Sequence, residues 1–144
     1  MFARGVSGDS AVIHVIDTSA LIRLFIPDGP ALPEAELALS RASTGGDTLL
    51  APDLILVEIA NVLLRKLRRG ELSEQEHDQL LPLMLKLPLR IVEHSTLILQ
   101  ASALARNHKL SAYDAIFLAL AQHHGVRLLT CDDGLAKVAR TIGC

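Results

Sequence analysis

The sequence predicts an α/β domain built on a mostly parallel sheet. Three observations predict it. Short apolar, β-branched runs alternate along the chain with longer amphipathic segments. No two runs are joined by a hairpin turn signal. The 144 residues, half of them hydrophobic, suffice for one buried core without staples.

Each element has a local reason. Residues 12–16 (VIHVI) read as a buried strand. Asp17-Thr18-Ser19 ends it, and residues 20–25 read as a short helix broken by Pro27-Asp28-Gly29-Pro30. Residues 34–42 look helical, Gly45-Gly46-Asp47 is a turn, and residues 48–51 form a second strand. Residues 53–69 make a long amphipathic helix stopped at Gly70. Ser73 with Glu76 fits a capping box that opens a helix running to about Leu85. Residues 89–92 give a third strand, followed by helices over 96–108 and 112–124. Gly125 ends the second of these, residues 126–130 form the fourth strand, and residues 133–142 the closing helix.

Composition narrows the function classes. Two cysteines, Cys131 and Cys144, make no disulfide framework, which suits a reducing cytoplasm. Residues 1–10 carry Gly5, Gly8 and Asp9 and no apolar run, unlike a signal peptide. No uncharged apolar stretch reaches the roughly 20 residues that span a bilayer, so no membrane partner is expected. A net charge of −2 offers a phosphate backbone no general attraction, but cations bound to clustered acids would reverse the local sign. Three Phe, one Tyr and no Trp leave little for base stacking. Any nucleic acid is expected to be held mostly through its backbone.

Four of the 16 acids sit in strongly apolar surroundings: Asp17 in VIHVIDTSALI, Glu58 in LILVEIANVLL, Asp114 in SAYDAIFLALA and Asp132 in RLLTCDDGL. A buried carboxylate without a partner costs several kcal/mol. Few basic residues lie nearby in the sequence, whereas a shared hard cation, Mg2+ or Mn2+, would neutralise all four. Each acid also has a simpler reading. Asp17 could cap the helix after it, Asp114 could cap the helix after Tyr113, and Asp132 or Asp133 could cap the last helix. Glu58 shares a stripe with Asn61 and Arg65 that could simply face water. Taken together, with Asp17 and Asp132 just past strand ends where α/β sites form, the four favour a metal site.

Other chemistries fit less well. There is no Walker-type loop, no G-x-G-x-x-G, no nucleophile elbow around Gly5-Val6-Ser7-Gly8, and no H-x-x-x-H pair among the six His. A phosphoacceptor receiver would need a lysine after a strand, and Lys109 and Lys137 do not follow strands. Cys131 is expected to face the core rather than the side shared by Thr130 and Asp132. Arg65, Lys66, Arg68 and Arg69 could meet phosphates or the C-terminal dipole of their own helix. The apolar stretch LLPLMLKLPL, residues 80–89, reads as core or as an interface.

These motifs resemble those of the PIN-domain family, and especially its VapC-type toxin ribonucleases. Val15-Ile16-Asp17-Thr18-Ser19-Ala20-Leu21 resembles the opening strand and first acid. Ala51-Pro52-Asp53 with Glu58-Ile59-Ala60-Asn61-Val62-Leu63 resembles the second-acid helix. Tyr113-Asp114-Ala115 with Leu118-Ala119-Leu120-Ala121 resembles the third motif, and Leu128-Leu129-Thr130-Cys131-Asp132 the fourth. Cys131 stands where a small residue is usual.

The resemblance implies a three-layer α/β/α sandwich around a central, mostly parallel sheet of four to five strands. Residues 1–11 would be an N-terminal extension ahead of a single nuclease domain over residues 12–144. It implies Mg2+- or Mn2+-dependent cleavage of RNA, leaving a 5′-phosphate and a 3′-hydroxyl. Asp17, Glu58, Asp114 and Asp132 would ligate one or two ions, with Ser19, Thr130 and Asn61 in support. Arg65 would meet RNA, and Asp133 would be an auxiliary acid or, preferably, the helix cap. It also implies a cognate antitoxin entering the acidic groove, and a homodimer. The alternatives are a catalytically silent PIN-fold module that binds RNA or protein, and a DNA-directed nuclease with the same chemistry.

Overall fold

The computed structural model describes residues 11–144. The expected extension therefore lies, apart from Ala11, outside the described residues. The described chain runs β1 (Ile13–Ile16), α1 (Thr18–Arg23), α2 (Pro33–Ser43), β2 (Thr48–Pro52), α3 (Leu54–Arg68), α4 (Glu74–Leu85) and β3 (Leu89–Val92). A 3-10 turn (His94–Leu97) leads into α5 (Ile98–His108), followed by α6 (Ala112–His124), β4 (Arg127–Leu129) and α7 (Asp133–Thr141). The α/β class expected from the sequence holds. Among the described residues the sheet has four strands, and every pairing is parallel.

Strand order is β3-β2-β1-β4. From β1 the chain winds outward through β2 to β3, then returns through α5 and α6 to lay β4 on the other side of β1. The direction of winding thus reverses between β1 and β4, and the carboxyl ends of those two strands frame a crevice of the kind where α/β proteins bind ligands. Val15 lies opposite Leu50 on one side and Leu128 on the other. Val15, Ile16, Leu49 and Leu129 are fully buried, as expected of short apolar strands in a parallel sheet.

Helix α6 is buried along the whole run Ala115–Ala121 and packs on β1, β2 and β4. An apolar surface all round marks it as an interior helix. Gly125 stops it in the left-handed conformation at φ 63°. The capping box at Ser73 and Glu76 is formed in full.

Three local expectations are corrected. Helix α1 begins at Thr18, because Asp17 caps it directly. Helix α6 is capped by the Ser111 side chain, and Asp114 is its third residue. Helix α7 is capped by Asp132, leaving Asp133 as an exposed first-turn residue. The stretch of residues 80–89 is only partly core: Met84 is buried, while Leu83 and Leu85 are about half exposed. Among the described residues, no helix is long and apolar enough to cross a membrane.

Candidate active site

At the winding reversal lies an open pocket of about 370 Å³, and its walls include Asp17, Glu58, Asp114 and Asp132. The four come from the end of β1, from α3, from the first turn of α6 and from the loop after β4. Ser19, Asn61 and Arg65 share the same walls.

Asp17 is the most constrained member. It is 5% exposed, and three donors fix its carboxylate. Oδ1 accepts from the Ala20 backbone N–H at 2.9 Å and from the Ser19 hydroxyl at 2.7 Å. Oδ2 accepts from the Thr130 hydroxyl. The cap and the pocket wall are one side chain, so the two readings of Asp17 do not compete. Thr130 Oγ1 in turn accepts from Asp132 N–H, and Ser19 Oγ accepts from Cys131 N–H, both at 3.0 Å. The hydroxyls thereby tie the chain after β1 to the chain after β4, alongside the Asp17 N–H bond to the Leu129 carbonyl.

Glu58 lies one turn into α3. Its Oε1 accepts from Thr18 Oγ1 at 2.5 Å, a contact 40 residues apart in the chain. Asn61 and Arg65 follow at successive turns, both exposed. Asp114 is half-buried, and Asp132 is exposed, with Oδ1 accepting from Leu135 N–H. Asp133 does not line the pocket, and Cys131 is partly buried against the core.

The pocket also holds residues that sequence reasoning did not single out: Thr18, Arg23 and Asp28. For Thr18 a weak signal existed, a hydroxyl next to the strand-end acid. Its partner could not be read, because helix α3 reaches it only through the fold.

Electrostatically the site is short of positive charge. Burial pushes the Asp17 carboxyl above the usual range, against the hydrogen bonds from Thr130, Ala20 and Ser19, and the Asp114 charge pushes it the same way. Glu58 is raised by burial and by the charges of Asp114 and Asp17, against the Thr18 hydrogen bond and the Arg65 charge. Asp114 is raised by burial and then by Asp132. The acids therefore sense one another in a chain from Glu58 to Asp132. They share a pocket but not a closed ligand cage: among the described residues, no three carboxylate, imidazole or thiol groups gather at one cation-sized point. The four acids predicted from the sequence thus line one pocket, without a preformed coordination sphere among the described residues. The donor chemistry nonetheless fits a hard divalent cation, with carboxylate oxygens that repel one another and would be relieved by positive charge between them.

Comparison with known proteins gives the class. The PIN domain family is matched over residues 14–141. The chain belongs to that family. It is 35% identical over 125 residues to Ribonuclease VapC3 of Pyrobaculum aerophilum, covering 85% of this chain and 92% of that protein. Two solved structures share the fold. The crystal structure of PAE2754 from Pyrobaculum aerophilum aligns at a TM-score of 0.67 and 23% identity, covering 89% of this chain and 86% of that one. The crystal structure of FitAcB from Neisseria gonorrhoeae aligns at 0.57 and 16% identity, covering 88% and 93%.

Proposed function

We propose that this chain is a divalent-metal-dependent endoribonuclease, the toxin of a toxin–antitoxin pair acting in the cytoplasm. The observation that carries this reading is the meeting of Asp17, Glu58, Asp114 and Asp132, from four separate stretches, around one pocket at the strand ends. The extended likeness to a protein named as a ribonuclease supports it.

In this reading the four carboxylates hold one or two Mg2+ or Mn2+ ions, directly or through water. When bound, the metal supplies Lewis acidity toward the phosphate and lowers the pKa of a water. The chain's own groups supply position and charge. Asp17, fixed by three donors, presents its remaining lone pairs with little reorganisation. Ser19 and Thr130 keep that carboxylate aimed, and Thr18 does the same for Glu58. Asp114 and Asp132 add the remaining carboxylates of the pocket wall. Arg65 offers a guanidinium to a phosphate oxygen, and Asn61 an amide to the nucleotide. Asp133 serves the first turn of α7, where a negative charge meets the helix dipole. The reaction needs no protein nucleophile.

The test is cleavage of a mixed RNA substrate by the purified chain across a metal titration. Cleavage with Mg2+ or Mn2+ and none with chelator is expected. Intact RNA at every metal concentration would leave a binding module in place of an enzyme. Two protein partners belong to the same proposal: an antitoxin whose arginine pairs with the pocket acids, and a second copy of this chain. Sedimentation at several concentrations reports the second copy, and a strictly monomeric chain would remove it.

A further inference from the structure

The single tyrosine of the chain, Tyr113, immediately precedes the pocket residue Asp114 and is 63% exposed. Beside it runs a groove of about 480 Å³ lined by Leu54, Val57, Ala60, Leu64 and Tyr113. Val57 is 61% exposed, although it sits on a helix whose opposite face is fully buried at Ile55, Ile59 and Leu63. Glu58 and Asn61 line both this groove and the acidic pocket. Helical spacing explains the arrangement. Leu54, Val57, Asn61 and Leu64 make one stripe of α3, and Glu58, Asn61 and Arg65 make the adjoining one. The outward face of α3 is thus divided lengthwise, polar toward the acids and apolar toward Tyr113, with Asn61 on the line between.

In a nucleic acid, one sugar separates a base from its phosphate. A phosphate seated among the acids would therefore carry a neighbouring base to the Glu58–Asn61 boundary. Beyond that boundary lie an exposed aromatic ring and an apolar floor. The groove's volume falls within the roughly 300–1,000 Å³ of small-ligand clefts.

We propose that this groove is a nucleobase subsite. The base of one nucleotide flanking the scissile phosphate stacks on Tyr113 over Val57 and Leu54. The Asn61 amide, which holds both a donor and an acceptor, meets the base's edge. The inference rests on the ribonuclease reading and deepens it. It adds a base contact to the expectation that RNA is held mostly through its backbone, because one aromatic suffices when it stands next to the scissile position.

The test uses short RNA oligonucleotides cut at a single position, intact or abasic on either side of the cleaved bond. Tyr113→Ala is expected to lower kcat/KM on intact RNA by about 10-fold, the scale of one lost stacking contact. Tyr113→Phe should stay near the parent value. Abasic RNA on one side should be cut equally by the parent and Tyr113→Ala. An equal loss on intact and abasic RNA, or no loss on either, would overturn the proposal. A second arm needs no cleavage. With one Tyr and no Trp, the chain's tyrosine fluorescence reports Tyr113 alone. Titrating Asp132→Asn, whose new side chain can still cap α7, with intact and abasic oligonucleotides should quench that emission only with the intact one. This arm decides the matter even if no RNA is cut, so failure of the subsite and failure of the nuclease reading remain distinguishable. Equal quenching by both oligonucleotides, no quenching, or burial of Tyr113 by self-association that Val57→Asp abolishes would each refute the base site.

Discussion

Two sets of acids lie along helix α3, meeting where Asp28 lines the pocket wall, and they differ in the counter-charge the chain gives them. In one set, Asp28 and Glu71 meet Lys66, whose Nζ lies 2.5 Å from Asp28 Oδ2 and 3.3 Å from Glu71 Oε1. Lys66 is itself only 7% exposed, and its pKa is raised, first by the Asp28 hydrogen bond. In the other, Glu58 joins Asp17, Asp114 and Asp132, with Arg65 as the cation that offsets the Glu58 charge. The first cluster carries its counter-charge in the chain. The second leaves the Asp17, Glu58 and Asp114 carboxyls raised by burial and by neighbouring negative charge. The Lys66 acids have a cation within the chain, whereas the pocket acids are left short of one, as the proposed cation site requires.

The contrast breaks most visibly at Asp17. Asp17→Asn should lower RNA cleavage by more than about 100-fold, because the best-fixed carboxylate loses its charge. Its melting temperature should move little, since asparagine still caps α1. A variant that keeps metal-dependent cleavage would remove Asp17 from the site.

Lys66→Met probes the other cluster. It leaves Asp28 and Glu71 without their cation, but those carboxylates are 40% and 46% exposed and can hydrate. A stability loss of about 1–3 kcal/mol in urea unfolding is expected, below the cost of stripping a fully buried pair. An unchanged midpoint would show that Lys66 is not structural.

Thr18→Val sharpens the comparison within the pocket by freeing Glu58 while keeping side-chain shape. Cleavage should fall about 10-fold and the metal concentration for half-maximal rate should rise, as for loss of a group orienting a ligand. Thr18→Ser should restore both. Equal rates in all three chains would make the Thr18–Glu58 bond incidental.

The smallest effect is on pH and stability. Asp17, Glu58 and Asp114 have folded-state pKa values above their unfolded ones. Between the two values the folded chain binds more protons, so this contribution to stability is present at low pH and lost as pH rises through the folded values. Without divalent cation, the melting temperature should therefore be higher below the raised carboxyl range than above it. Saturating Mg2+ or Mn2+ should flatten or reverse that trend, because it binds the ionised form. A metal-free chain most stable at the alkaline end would contradict the raised values.

The sequence disclosed much of this, because the fold is written in local signals. The runs VIHVI and LILVEIANVLL and the all-apolar AIFLALA segment announce a buried strand, a helix with one misplaced acid and an interior helix. Asp17 and Glu58 stood out for the same reason: a carboxylate amid apolar neighbours is visible without a structure. What stayed hidden depends on distant pairing or on single-residue choices between equivalents. Lys66 looked like Arg65, Arg68 and Arg69 in a basic run, and only the fold brings Asp28 over it. Either Asp132 or Asp133 can cap by composition, the preferred reading makes Asp133 the cap, and the backbone uses Asp132. Ser111 stands three residues before Asp114, a spacing that already signals a cap, and it displaced Asp114 from that role. The aromatic count carries no position, and only the fold sets Tyr113 in the groove beside α3.

The most direct measurement is Mn2+ binding, followed by electron paramagnetic resonance of the free ion, in the parent chain, Asp17→Asn and Glu71→Gln. The parent and Glu71→Gln should remove Mn2+ from solution with the same affinity, and Asp17→Asn should bind it far more weakly. Loss of binding in Glu71→Gln with retention in Asp17→Asn, or no binding by the parent, would contradict the assignment of the pocket as the cation site.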